Sequence, residues 1–98
     1  MAELIIVSWR DIPAQVIVKA GRRTAKRPLP ERFQEAIDRA AMRAGVREDD
    51  AYLAEWRRQA TPCGDDLEAE ADAAAARLEA EYPPERVQAL VDQGGAER

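Results

Sequence analysis

The sequence predicts a single small α+β domain, with an antiparallel sheet of two or three strands packed against two or three helices. Two runs rich in β-branched and aromatic residues, 4–9 and 16–18, lie close enough in the chain to pair as a hairpin. Further on, Phe33, Ile37, Ala40, Ala41 and Ala44 recur at the spacing of one helix face. The chain has 98 residues and is 46% apolar, yet 20 of its apolar residues are alanine, so the core must be thin. A chain this long buries roughly 60–65% of its unfolded surface, which leaves little margin and no material for a second domain or a roomy pocket.

The elements follow in order. Leu4-Ile5-Ile6-Val7-Ser8-Trp9 reads as a buried strand ending at Arg10-Asp11. Val16-Ile17-Val18 is its partner, and Pro13 between them suggests a longer connection. Residues 19–30 hold five basic side chains, Gly21 and two prolines, and read as a loop. Pro30 and Glu31 open a helix over 31–44, which Gly45 stops. Residues 50–58 suit a helix by propensity, yet a third strand would complete the sheet, and the strand reading is preferred. A turn at 61–64 leads into a helix over 65–82, with Asp65 and Asp66 at its start. Seven alanines fall within 69–80, with Leu67 and Leu78 as the larger anchors, so this helix is expected to be the one most ready to detach. Pro83-Pro84 breaks it, and Val87, Leu90 and Val91 mark a short last helix. The domain is placed at 1–93, with 94–98 as a frayed tail.

Charge is unevenly spread. Residues 1–63 carry 12 basic and 9 acidic side chains, and residues 64–98 carry 3 basic and 10 acidic ones. Such asymmetry hints at an interaction surface. There is no histidine, and Cys63 is the lone cysteine, so an intramolecular disulfide, a zinc site or an iron–sulfur cluster held within the chain is excluded. The start of the chain lacks a secretory pattern, so the expectation is a cytoplasmic protein without a membrane segment, needing no cofactor.

No catalytic residue is assigned. Ser8, the only serine, reads as a polar group within an apolar strand, and Cys63 as a small turn residue. The acidic runs Glu48-Asp49-Asp50 and Asp65-Asp66 lack the alternating spacing of a calcium loop and read as caps and solvated charge. Binding residues are easier to nominate. Lys19, Arg22, Arg23, Lys26 and Arg27 would suit an anionic partner, either an acidic protein surface or RNA, although no aromatic residues interleave to stack bases. Trp9, Arg10, Asp11 and Trp56 form the second candidate set, because Trp and Arg anchor many interfaces.

The run Ser8-Trp9-Arg10-Asp11-Ile12-Pro13-Ala14-Gln15-Val16 resembles a family signature, as do Leu29-Pro30-Glu31-Arg32-Phe33, Ala36-Ile37-Asp38, Tyr52-Leu53 and Trp56. Together, over residues 3–82, they resemble a family of short bacterial proteins known only as "virulence factor", similar also to part of a conserved virulence factor C of Gram-positive bacteria. That resemblance implies a genetic phenotype and no defined reaction, and it implies proximity to folate and corrinoid methyl-transfer proteins. The leading expectation is a non-enzymatic accessory protein docking on a larger protein partner; the alternative is an RNA- or nucleotide-binding module using loop 19–27. Homo-oligomerisation is left open.

Overall fold

The computed structural model describes residues 2–46 and 49–96. Four strands form one antiparallel sheet in the order β3-β2-β1-β4: β1 (Ala2–Trp9), β2 (Ile12–Ala20), β3 (Arg23–Pro28) and β4 (Trp56–Cys63). Helices α1 (Glu31–Arg43) and α2 (Asp49–Ala54) separate β3 from β4, and α3 (Leu67–Glu81) and α4 (Pro84–Asp92) follow. The α+β class holds, with one strand more than the sequence suggested.

Three local expectations change. Residues 19–30 are not a loop: Gly21 takes a positive φ of 60°, the turn is tight, and Arg23–Pro28 pair along β2. A strand this rich in charge is stable at a sheet edge, where one ladder is unused and half its side chains face water. Residues 50–60 satisfy both competing readings in succession, with one and a half turns of helix and then a strand. The β1–β2 connection is also shorter than expected. Trp9 pairs directly with Ile12, leaving only Arg10 and Asp11 in the turn, and Pro13 sits inside β2 beside a bulge that skips Ala14. A bulge is where a strand tolerates a residue lacking an N–H.

Alternation divides the sheet residues between two faces. Ala2, Leu4, Val16, Val18 and Ala25 are buried in the main core with Phe33, Ala36 and Ile37 of α1, Leu67, Ala71, Ala74 and Leu78 of α3, and Val87, Leu90 and Val91 of α4. The alanine-rich helix is therefore no detachable element. Its alanines at 71 and 74 let the α3 backbone lie close against β2 and β3, and the Asp66 side chain caps its start by accepting from the Ala69 N–H at 3.2 Å. By contrast β4, which pairs with β1 along its whole length, leaves its central six residues exposed.

The chain end also differs from the expected frayed tail as far as it is described. Gly94 and Gly95 are buried, and the Gly95 carbonyl accepts from the Asp11 N–H at 2.9 Å. Gly95 has a φ of 93°, and a Cβ placed there would lie 2.8 Å from the Trp9 ring, so glycine is required on both counts. Glu97 and Arg98 lie outside the described residues. Among the described residues, no helix is long and apolar enough to cross a membrane.

Candidate functional site

The nominated residues separate to the two ends of the sheet. Trp9, Arg10, Asp11 and Trp56 gather at the β1–β2 turn, whereas Lys19, Arg22, Arg23 and Lys26 surround the β2–β3 turn at the opposite end of β2. Eight residue steps along a strand amount to about 26 Å, so the two sets cannot hold one small ligand between them.

At the first end, the Trp9-Arg10-Asp11 run holds the fold together. Trp9 is fully enclosed, its ring stacks on Tyr52 at 5.7 Å, and its indole N–H donates to the Tyr52 carbonyl at 2.9 Å. Trp56, half-buried, meets the same Tyr52 edge-on at 6.0 Å. Arg10 adopts the left-handed region at φ 52°, unusual outside glycine. It is held there by four contacts. Its N–H donates to the Glu55 carbonyl at 3.0 Å, its guanidinium donates to the Gly94 carbonyl at 2.8 Å, it pairs with the Glu55 carboxylate at 3.5 Å, and it lies 5.0 Å from the Trp9 ring centre. These contacts join the hairpin turn, the start of β4 and the C-terminal glycines.

A polar pit of about 130 Å³ opens beside this turn on the helix side of the sheet, lined by Ser8, Arg10, Asp11, Arg57, Gln59 and Tyr82. Ser8 and Arg57 are direct cross-strand partners, and Gln59 stands opposite Ile6 one step along the same face. Sequence reasoning missed Arg57, Gln59 and Tyr82, because the β1–β4 register brings the first two to Ser8 and the packing of α3 brings the third. A strand alternation over 56–63 would have aligned Arg57 with Gln59, had the strand begun at Trp56.

At the other end, the basic residues do not act as a group. Arg27 faces the helix side, where its guanidinium contacts Asp72 at 2.6 Å and Glu68 at 3.3 Å; those carboxylates raise its pKa further and neutralise it. Arg22 and Arg23 are exposed about the turn. Lys19 and Lys26 belong to the opposite sheet face, where the pairing register lays out three rows, continued at the turn end by Ile12-Trp9-Trp56. Lys26, Ile17, Ile5 and Ala60 form the central row, flanked by Thr24-Lys19-Glu3-Pro62 and Pro28-Gln15-Val7-Arg58. Ile5 and Ile17 are only 6% and 9% exposed, yet neither belongs to the main core. The edge-strand residues beside the pair on this face, Thr24, Lys26, Pro28, Arg58, Ala60 and Pro62, are exposed, while Trp56 at the turn end is half-buried against Tyr52 of α2.

Cys63 is half-buried at the end of β4, and burial, reinforced by Glu70 and Asp65, pushes its thiol pKa up, opposite to an activated nucleophile. Among the described residues, no cluster of three or more metal-binding side chains exists. The Glu48-Asp49-Asp50 run falls partly outside the described residues.

No curated protein and no solved structure matches the chain significantly. The family model described as "Virulence factor" matches residues 7–91, a span that takes in the Trp9-Arg10-Asp11 turn, the whole helical layer and most of the sheet. The chain belongs to the virulence factor family.

Proposed function

We propose that this chain is a non-enzymatic accessory protein that docks on a larger protein through the open face of its sheet. The observation that carries the reading is the Ile5–Ile17 pair, extended by Val7 and Ala60 and framed by Lys19, Lys26 and Arg58. Ile5 and Ile17 are themselves nearly covered, so a partner would meet Val7, Ala60 and the charged rim, in which Glu3 accompanies the three basic residues. Four strands at about 4.8 Å spacing span about 14 Å, wide enough to seat one helix of about 10 Å diameter. The edges suit docking less well. β3 carries Arg23, Lys26, Arg27 and Pro28, and β4 carries Arg57, Arg58 and Pro62, a composition that discourages strand addition.

A folate- or corrinoid-dependent methyl-transfer enzyme is the partner to test first, on the strength of the family resemblance over residues 3–82. The RNA-binding reading has less support. Arg27 is already ion-paired with Asp72 and Glu68, and the aromatic residue that β4 brings to this face, Trp56, is half-buried edge-on against Tyr52.

The experiment is co-purification of tagged protein at low and at high salt, with the enzyme supplied as purified prey. Retention at low salt that falls as salt rises, and that is lost in Lys26→Glu/Arg58→Glu, supports the reading. A monomer alone under both conditions, whatever prey is supplied, overturns it.

A further inference from the structure

We infer that the polar pit between β1, β4 and the end of α3 is a carboxylate-binding site, with Arg57 as its anchor. This site lies on the helix side of the sheet and stands apart from the proposed docking face.

The Arg57 guanidinium lies between two carboxylates, Asp11 and Glu55, each 3.9 Å away. At that separation it feels their charge but donates no hydrogen bond to either. Arg10, by contrast, is fully engaged by Glu55, the Gly94 carbonyl and the Trp9 ring. The Ser8 hydroxyl, directly across the strands from Arg57, makes no side-chain hydrogen bond to any other described residue, and neither does the Gln59 amide. Ser8 and Gln59 therefore line the pit beside Arg57, which is 59% exposed and ion-paired to both carboxylates without a hydrogen bond to either.

Size and charge select the ligand. A pit of about 130 Å³ has room for about four waters, or a small group of similar bulk, at about 30 Å³ each. The planar fork of a guanidinium matches the two oxygens of a carboxylate, and a hydroxyl and an amide N–H beside it add further donors. Asp11 also lines the pit, and Glu55 stands beside Arg57, so a second negative charge on the ligand is penalised. A monoanionic carboxylate is favoured over a doubly charged phosphate on that ground. The carboxylate can come from a free small acid or from the C-terminus of another chain.

The test is a titration followed by two-dimensional 15N–1H NMR on the intact protein, with sodium acetate, acetamide and inorganic phosphate as probes at constant ionic strength. The expected result is saturable shifts at the Ser8 and Arg57 amides and the Gln59 side-chain NH2 with acetate. Half-saturation is expected at about 1–10 mM, the range open to a ligand of so few atoms. Acetamide, the same shape without charge, should bind at least about tenfold more weakly, as should acetate to Arg57→Gln, since one charge-assisted contact contributes on that scale. Ser8→Ala gives a second variant, should Arg57→Gln disturb the strand, and should weaken binding less. Triglycine with a free or an amidated C-terminus distinguishes the sources: tighter binding of the free form than of acetate assigns the site to a chain terminus, and weaker binding assigns it to a small acid. Non-saturating shifts, equal binding of acetamide, or shifts centred on Arg22 and Arg23 would overturn the proposal.

Discussion

Ile5 and Ile17 stand directly opposite one another on β1 and β2, on the sheet face turned away from α3. Two large aliphatic side chains at that position have no use for the core, which is formed on the other face by Leu4, Val16 and Val18 with the helices. Their neighbours Lys19, Lys26 and Arg58 give this face a basic rim suited to a surface of opposite charge.

The first prediction concerns Gly95 and Trp9. An added methyl at Gly95 would meet the Trp9 ring at 2.8 Å and would also require a φ of 93° from an alanine. Gly95→Ala should cost about 2–3 kcal/mol, the combined scale of overpacking and backbone strain, read as a lowered midpoint in urea unfolding. An unchanged midpoint would mean that the chain end is not docked against the ring.

That docking was not legible in the sequence. The Trp9-Arg10-Asp11 run stands out for its composition, and composition leaves open whether the tryptophan anchors an interface or fills the space that alanine-rich helices cannot. What buries Trp9 is Tyr52 from α2 and Gly95 from the chain end, both far away in sequence. The hairpin of β1 and β2 and the helix spacing of Phe33, Ile37 and Ala40 were readable, because local periodicity reports which face of an element is buried. The strand at 23–28 was not, since its alternation is Arg, Thr, Ala, Lys, Arg and Pro with only Ala25 inward and buried. The polar pit depends on the register between β1 and β4, a long-range pairing that no local pattern carries.

Alanines along α3 should divide sharply by face. Ala71 is fully buried and Ala74 nearly so, whereas Ala73 and Ala76 are exposed. Ala71→Leu should destabilise by about 1–3 kcal/mol through overpacking against the sheet. Ala73→Leu should stay within about 0.5 kcal/mol, as surface changes do. Equal effects in thermal unfolding would contradict the packing of this helix.

The Arg27–Asp72 contact ties β3 to α3 across the surface. Asp72→Asn should lower the unfolding midpoint slightly at low salt, and the difference should vanish as salt is raised, because exposed pairs are screened. A difference that persists at high salt would indicate a role other than charge pairing.

Cys63 supplies a pH prediction. Its raised pKa means that the folded protein holds the thiol proton more tightly than the unfolded chain. The thiolate fraction at neutral pH is therefore below that of a free cysteine, and the stability linked to the bound proton is lost as pH rises through the folded pKa. Iodoacetamide should label the native protein slowly at pH 7.5, with a pH–rate midpoint displaced upward from that of the urea-unfolded chain. Faster labelling of the native form would contradict the assignment.

The most direct test of the docking account compares charge reversal at two places on the same sheet. Lys26→Glu/Arg58→Glu alters the rim of the open face, and Arg22→Glu/Arg23→Glu alters only the tip of the β2–β3 turn. The measurement is the amount of purified methyl-transfer enzyme retained by each tagged variant at about 50 mM salt, where electrostatic steering is strong. The account predicts that wild type and the turn variant retain the enzyme and that the open-face variant, with an unchanged unfolding midpoint, does not. Retention by the open-face variant, or loss confined to the turn variant, would contradict docking through Ile5 and Ile17.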